Sequence, residues 1–371
     1  MYKKILRFLF RRFWVIPTAH FVPSDQQCFL ETRISNPAWL LKCVKRYFFF
    51  ILSGQIFFEL HKIPAGAKRI LWVNTSAPSM GDTLMDVSGR VFLAGKIVHL
   101  LTNKKNKELF AADSIFAKVF IDINEIDSSI RKSYDLVILD SYGPLTLLQK
   151  IRLTRLGLPF TGFYGFLNGY EIHRLIYSHA RLAYLSDIEI NRYPIRPTLE
   201  PKSRFQPASD RLRPLTAIAV GGEWEYRTYQ HWASVVSRLL STTDIVLLGS
   251  TNGLAIGEYI QHKFPLVKSW VGKQTLREVV SSIKECDFFV GSDGGLWHIA
   301  NALGTPSVVL FANKQLFDQR QCRVDLTTTD INARAIYHPE SVSAISPEDI
   351  AKAFLTLMRT EGPSSRDAEN V

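Results

Sequence analysis

The sequence lacks several features that mark particular classes of protein. It has four cysteines in 371 residues, at positions 28, 43, 286 and 322, and no Cys-x-x-Cys pair. This spacing favours neither a disulfide framework nor a zinc site, and it is typical of a reducing compartment. No run of about 18 apolar residues is uninterrupted, so the sequence predicts no membrane-spanning helix. Arg11 and Arg12 break the apolar stretch near the start, so no secretory signal is predicted either.

Acidic residues are also scarce, with 34 Asp and Glu against 45 Lys and Arg, which gives a net charge of +11. Residues 1–64 carry ten basic and three acidic residues, a difference of +7, and the basic residues lie among aromatic ones. Basic helices with bulky apolar residues are typical of segments that lie on anionic membranes. We therefore predict a basic, aromatic-rich helical extension over residues 1–66 that contacts an anionic membrane surface through residues 1–60. Packing on the first domain, or on a partner protein, is the alternative. Nucleic acid is not expected, because no recognisable binding motif accompanies the charge.

From Lys68 onward, short apolar runs alternate with helical patterns, which predicts parallel sheets covered on both faces. Five prolines between positions 194 and 214 interrupt this pattern and predict a linker. The predicted organisation is a first α/β domain (67–193), the linker (194–214), a second α/β domain (215–345), a terminal helix (346–360) and a disordered tail (361–371).

The segment from Cys286 to Phe311 predicts a strand, a glycine turn, a helix and a second strand. The first amides of a helix have no partner within the helix and attract anions such as phosphate. Gly294 and Gly295 would let a ligand approach this backbone closely, with Asp293 and His298 nearby. On spacing alone, Asp293 could instead cap the helix, and His298 could be a half-buried histidine with satisfied hydrogen bonds.

In the first domain, Asp82 follows Gly81 at a predicted helix start, where the residues alone favour a helix cap. Asp86, one turn later, is predicted to be a solvated or polar helix residue. Between Tyr142 and Arg192 the sequence is aromatic and basic, which indicates either an acceptor surface or ordinary helix surface. The residues concerned are Arg152, Arg155, Tyr164, Tyr170, His173, Arg174, His179 and Arg181.

Two stretches resemble glycosyltransferase family nine, the lipopolysaccharide heptosyltransferases. SDGGLWHIANALGTPSVVLF (292–311) resembles the family signature, and ILWVNTSAPSMGDTLMDVS (70–88) is similar to the family's first strand, Gly-Asp turn and helix. The resemblance covers roughly residues 68–358. It implies an α/β GT-B fold, with two Rossmann-like domains facing a cleft and a nucleotide sugar as the donor.

The resemblance also implies roles for particular residues. Asp82 takes the position of the catalytic base, and Ser79, Met80 and Gly81 are expected on the acceptor side. The expected donor-binding residues are Gly221, Gly222, Arg227, Asp293, Gly294, Gly295, Leu296 and His298. The sequence departs from the family pattern after Gly249, where Asn252 and Gly253 stand in place of a glutamate that contacts the nucleotide. The segment that offers Arg227 is also about two residues short.

Together these observations and the resemblance predict an inverting, metal-independent glycosyltransferase without a cofactor, cytoplasmic and peripheral on the inner face of the bacterial inner membrane. The expected reaction moves heptose from ADP-heptose to a lipopolysaccharide core or related glycan. The alternatives are another nucleotide sugar, a protein acceptor, or a non-catalytic glycan-binding relative.

Overall fold

Two parallel sheets organise the part of the chain that the structure describes. This computed structural model describes residues 37–77, 79–111, 113–153, 157–164, 174–200, 211–312 and 333–361. The chain divides into two units, residues 1–195 and residues 196–371. The predictions for residues 1–36, the middle of the linker, the tail after residue 361, and Arg155, Tyr170 and His173 lie outside the described residues.

The first unit holds a five-stranded parallel sheet in the order β3-β2-β1-β4-β5. Its strands are β1 (Arg69–Asn74), β2 (Ile97–Thr102), β3 (Phe116–Phe120), β4 (Leu136–Leu139) and β5 (Phe160–Gly162). Its helices are α1 (Pro37–Leu52), α2 (Met80–Asp86), α3 (Lys104–Ala111), α4 (Ser128–Lys132), α5 (Pro144–Leu153) and α6 (Arg174–Ser186). The strand order reverses between β1 and β4, and in such sheets ligands bind where the loops after these strands diverge.

The sequence predicts one helix from Asp82 to about Val91, but α2 ends at Asp86 and a 3₁₀ turn follows over Ser88–Leu93. The hydroxyl of Ser88 donates to the carbonyl of Met85 (2.7 Å), and the amide of Gly89 donates to Ser178 Oγ (2.8 Å). These bonds compete with the helical pattern. A Cβ at Gly89 would lie 2.4 Å from the carbonyl oxygen of Ser178, so the glycine lets α6 pack against this turn.

The second unit holds a six-stranded parallel sheet in the order β11-β10-β9-β6-β7-β8. Its strands are β6 (Leu215–Ala219), β7 (Asp244–Leu248), β8 (Lys268–Ser269), β9 (Phe288–Ser292), β10 (Ser307–Ala312) and β11 (Ala333–His338). Its helices are α7 (Trp232–Leu239), α8 (Leu254–Lys263), α9 (Leu276–Glu285), α10 (Gly295–Leu303) and α11 (Pro347–Glu361). Here the order reverses between β6 and β9, so the loops after these two strands are the expected ligand-binding loops.

The segment from α1 to Leu60 packs on the first unit. The Phe50 ring is fully buried, with its centroid 5.2 Å from that of Tyr142 and 6.2 Å from that of Phe160. The amide of Phe160 donates to the carbonyl of Phe58 (2.9 Å), and the amide of Leu60 donates to the carbonyl of Phe160 (2.7 Å). This segment therefore packs on the first unit and meets the edge of β5 through one isolated parallel bridge, Glu59 to Phe160, which is the packing alternative left open by the sequence. None of the helices in the described ranges is both long and apolar enough to cross a bilayer.

Candidate functional site

The loop after β1 is held by the carboxylate that follows β4. Asp140 Oδ2 accepts hydrogen bonds from the amides of Thr75 (2.8 Å) and Ser76 (2.7 Å). Asp140 is almost fully buried, and this burial raises the pKa of its carboxyl group against the effect of its hydrogen bonds. The carboxylate thus fixes the backbone that leads from β1 into α2, across the point where the strand order reverses.

Asp82 lies in the first turn of α2, but it is not the helix cap. Ser79 is the capping residue, and its Oγ accepts from the amide of Asp82 (3.2 Å). The same hydroxyl donates to Asp82 Oδ2 (2.7 Å), while Asp82 Oδ1 lies 3.1 Å from Nε of Arg174. Asp82 is 6% exposed. Ser79 is exposed, Met80 is half-buried and Gly81 is buried at the start of the same helix. The capping role favoured by the residues alone is therefore wrong for Asp82.

A second buried carboxylate, Asp86, shares the same arginine. Nη1 of Arg174 lies 2.7 and 2.8 Å from the two carboxylate oxygens of Asp86. Tyr164 donates its hydroxyl to the same carboxylate, and Asn74 donates from Nδ2 at 3.3 Å. Burial raises the pKa of Asp86, while Arg174 and the hydrogen bonds oppose that rise. The prediction of a solvated Asp86 is wrong, because one helical turn places it beside Asp82 on the face of α2 that meets α6.

The aromatic and basic residues before Arg192 are mostly not helix surface. The Arg174 side chain is 10% exposed, and Tyr164, His179 and Arg181 are buried. Arg152 is exposed, as ordinary helix surface would be. The prediction of ordinary helix surface is therefore wrong for Tyr164, Arg174, His179 and Arg181. The signal that could have revealed the cluster is the pair of aspartates one helical turn apart, which a nearby cation has to neutralise once both are buried.

In the second unit, the predicted donor-binding side chains converge where β9 leads into α10. Asp293 Oδ2 lies 3.3 Å from Nη1 of Arg227, and Asp293 Oδ1 lies 3.8 Å from Nε2 of His298. The capping residue of α10 is Gly294, so the alternative in which Asp293 caps this helix is wrong. Gly295 and Leu296 open α10, and first-turn amides have no partner within their own helix. Cationic, anionic and amide groups thus surround one helix start.

Gly221 and Gly222 lie in the loop after β6, beside the loop after β7. Gly221 has φ +85°, and a Cβ there would lie 2.9 Å from Cα of Gly253. Asn252 donates from Nδ2 to the carbonyl of Gly222 (2.7 Å), and its Oδ1 accepts from Ser250 Oγ (2.6 Å). From the sequence alone, Asn252 is only a departure from the family pattern. In the structure Asn252 joins the loop after β6 to the loop after β7. This close approach explains why Gly221 and Gly253 face each other.

The structure therefore assembles two groups of the predicted residues, each within one unit. Ser79, Met80, Gly81 and Asp82 lie together in the first unit. Arg227, Asp293 and His298 lie at the start of α10 in the second unit, where Gly294, Gly295 and Leu296 supply backbone groups. Gly221 and Gly222 lie in the loop that leads to Arg227.

Solved structures establish the class of fold. The chain is similar to a family 9 glycosyltransferase from Veillonella parvula, with a TM-score of 0.64 and 14% identity over 81% of this chain and 99% of that one. It is similar to the ADP-heptose lipopolysaccharide heptosyltransferase II of E. coli, with a TM-score of 0.58 and 19% identity over 79% of this chain and 99% of that one. E. coli heptosyltransferase WaaC with ADP gives a TM-score of 0.58 and 15% identity, over 78% and 99% of the two chains. Two parallel α/β units with these neighbours define a GT-B fold, as predicted.

Sequence comparison finds similarity to one family of glycosyltransferases in part of the chain. Residues 183–321 match glycosyltransferase family 9 (heptosyltransferase). A segment of 108 residues is 29% identical to lipooligosaccharide heptosyltransferase 2 of Haemophilus influenzae, covering 27% of this chain and 31% of that protein. These matches confirm the resemblance to glycosyltransferase family 9 that the sequence predicts, and they carry it over residues 183–321.

Proposed function

We propose that this protein is an inverting glycosyltransferase that moves heptose from ADP-heptose to a lipopolysaccharide core or a related bacterial glycan. The observation that carries the proposal is the convergence of Arg227, Asp293 and His298 at the start of α10, inside the segment that matches family 9. The names of two similar structures mention ADP-heptose or ADP, which supports this donor.

The proposed donor site acts on the leaving group. As the bond between the anomeric carbon and the diphosphate breaks, negative charge develops on the diphosphate. The first-turn amides of α10 and the guanidinium of Arg227 are positive groups that stabilise such charge. These groups neutralise the charge on the diphosphate, as a metal ion does in other enzymes. We therefore propose that transfer is metal-independent. Asp293 would hold Arg227 and bind hydroxyl groups of the donor sugar.

The proposed base is Asp82. An acceptor hydroxyl is a weak nucleophile, and a carboxylate within hydrogen-bond reach takes its proton as the new bond to the anomeric carbon forms. A single direct displacement of this kind inverts the anomeric centre. Arg174 and Ser79 each hold one oxygen of Asp82, so we propose that they position this base. The fixed orientation is useful because a base acts only when its oxygen points at the reacting proton.

The test combines binding and turnover in the full chain. For Asp82→Asn we expect normal ADP-heptose binding by calorimetry but a fall in kcat of about 10²- to 10⁴-fold, measured by ADP release with a heptose-free core acceptor. For Asp293→Ala we expect weaker donor binding. Asp127→Asn is the matched control, because Asp127 is exposed in the first unit and its side chain does not cap α4. Wild-type turnover in Asp82→Asn would refute the assignment of the base.

A second donor deserves testing because of Asn252. The resemblance leads us to expect a glutamate after β7, whereas here Asn252 is bonded to Gly222. An amide both donates and accepts hydrogen bonds, while a carboxylate only accepts, so the two residues suit different nucleotides. Thermal-shift measurements with a panel of nucleotide sugars, including ADP-heptose, discriminate between the donors. Stabilisation by a non-adenine donor alone would replace ADP-heptose in the proposal.

A further inference from the structure

The outer face of α1 is an apolar stripe with lysines along it. Leu41, Phe48 and Leu52 are 55%, 59% and 83% exposed, and Lys45 is also exposed between them. Their spacing of seven and four residues places all three apolar side chains on one side of the helix. Phe57, in the turn after α1, is 84% exposed and adds another large ring. Scattered single exposures are normal, but a periodic stripe of this kind marks an interaction surface.

The opposite face of the segment is fixed to the first unit. Phe50 is buried among Tyr142 and Phe160, and Gln55 is fully buried, with its Oε1 accepting from Nζ of Lys150 (2.6 Å). Because these contacts hold one face inward, the segment cannot rotate to hide the stripe. The stripe is therefore a fixed feature of the first unit.

The charge of the segment indicates the kind of partner. α1 contains no acidic residue, and Lys42 and Lys45 both lie on its exposed side. Lysine stems cover apolar surface while their ammonium groups reach polar headgroups. An apolar stripe with basic residues beside it suits the boundary between the headgroups and acyl chains of an anionic bilayer. A protein partner on this surface would instead need acidic groups placed opposite these two lysines.

We propose that α1 and Phe57 dock the first unit on the surface of an anionic membrane. In this arrangement Phe48, Leu52 and Phe57 enter the headgroup–acyl boundary, and Lys45 lies at the lipid phosphates. The segment lies along the membrane while its inner face stays packed on the sheet. The proposal does not depend on the glycosyltransferase activity, since it concerns a different surface and a different ligand.

The first test removes the apolar contacts from the full chain. Phe48→Ser, Leu52→Ser and Phe57→Ser are combined, and binding to vesicles of phosphatidylcholine and phosphatidylglycerol is measured by sedimentation. Each large side chain buried in the boundary contributes about tenfold, so we expect a fall of at least about 100-fold. The matched control combines Leu145→Ser, Leu212→Ser and Leu266→Ser, which remove side chains that are 78%, 102% and 86% exposed elsewhere. We expect that control to bind as the wild type does.

The second test reverses one charge. Lys45→Glu should weaken binding to the anionic vesicles roughly tenfold, because the lysine is attracted to the anionic surface and the reversed charge is repelled by it. The loss should be small on vesicles of phosphatidylcholine alone. Lys268→Glu, at an exposed position of the second unit, is the control.

Two results would overturn the proposal. If the triple serine variant binds anionic vesicles as tightly as the wild type, the stripe does not contact lipid and another surface of the chain binds the membrane. If light scattering shows a wild-type dimer that the serine variant converts to a monomer while neither binds vesicles, the stripe is an interface between two copies of this chain.

Discussion

Removing Arg174 should destabilise the first unit, and the loss should depend on pH. Arg174 contacts both Asp82 and Asp86, and both carboxylates are largely buried. Replacing one member of a buried ionic cluster leaves charge without a partner, which costs about 3–5 kcal/mol. For Arg174→Ala we expect the lower end, about 3 kcal/mol at pH 8, because Asp86 can take up a proton. A domain of this size loses about 2–4 °C in Tm per kcal/mol, so Tm should fall by about 6–12 °C.

The pH dependence follows from the pKa of Asp86. Burial raises this pKa above its ordinary value, and Arg174 opposes the rise. In Arg174→Ala the folded-state pKa should therefore rise further, so the folded state binds more protons than the unfolded state near that pKa. Stability then falls as pH rises through the folded pKa of Asp86 and is recovered as pH falls. Each further unit of pKa shift corresponds to about 1.4 kcal/mol, so the deficit against wild type should shrink by a similar amount between pH 8 and pH 5.

Thermal melts of wild type and variant across this pH range measure the effect. Arg152→Ala, at an exposed arginine of the same unit, should leave Tm within about 1 °C. Adding Asp86→Asn to Arg174→Ala should remove the pH dependence, because the amide side chain introduced there cannot ionise. A deficit that is the same at pH 5 and pH 8, or no larger than that of Arg152→Ala, would refute this account of the cluster.

Two further changes have definite expected outcomes. Gly221→Ala should destabilise the second unit by more than the roughly 1–2 kcal/mol that left-handed backbone strain costs alone, because a Cβ there would also lie 2.9 Å from the loop after β7. Gly95→Ala is the control for strain, since Gly95 has φ +81° and open space around it. Equal losses of stability in melting experiments would contradict the contact at Gly221. Lys150→Met removes a buried lysine whose pKa is lowered to about 8 by burial. Between about pH 8 and 10.5 the unfolded state binds more protons than the folded state, so the stability of the wild type should rise relative to that of the methionine variant over that range. A constant difference in Tm between the two proteins from pH 7.5 to 10 would rule this out.

The sequence predicted the strands well where apolar runs are uninterrupted. The apolar runs predict strands over Ile70–Val73 and Ser307–Phe311. The observed strand is one residue longer at both ends in the first case and one residue longer at its end in the second. The sequence also predicts a strand over Val119–Asp122, and a strand is found there, but β3 begins three residues earlier and ends two residues earlier than predicted, over Phe116–Phe120. Asp122 instead caps the next turn, where its Oδ1 accepts from the amide of Asn124 (2.7 Å). A side chain that competes for backbone amides ends a strand where hydrophobicity alone would extend it.

The candidate site was predictable only in part. Asp293, Gly294 and Gly295 follow from a local pattern, because a strand, a glycine turn and a helix are contiguous in the sequence. The pairing of Arg174 with the two aspartates was missed because an arginine is ordinarily exposed, and its burial depends on α6 packing against α2, about 90 residues earlier in the chain. The spacing of the two aspartates indicates that a cation is needed near them, but it does not identify Arg174, because this contact arises only when the sheet order brings the two helices together.

The hydrogen bonds between Phe58, Leu60 and Phe160 make the basic segment a structural part of the first unit. A chain shortened to begin at residue 61 would leave the ammonium group of Lys150 without Gln55 and would uncover the edge of β5 and the Phe50 contact surface. Exposed strand edges pair with other chains, so such a truncated protein should aggregate. One segment thus supports the fold through its inward side chains, Phe50 and Gln55, and presents the proposed membrane surface through its outward ones. Mutations of the inward side chains would disturb both properties, whereas the outward side chains can be changed without loss of the fold.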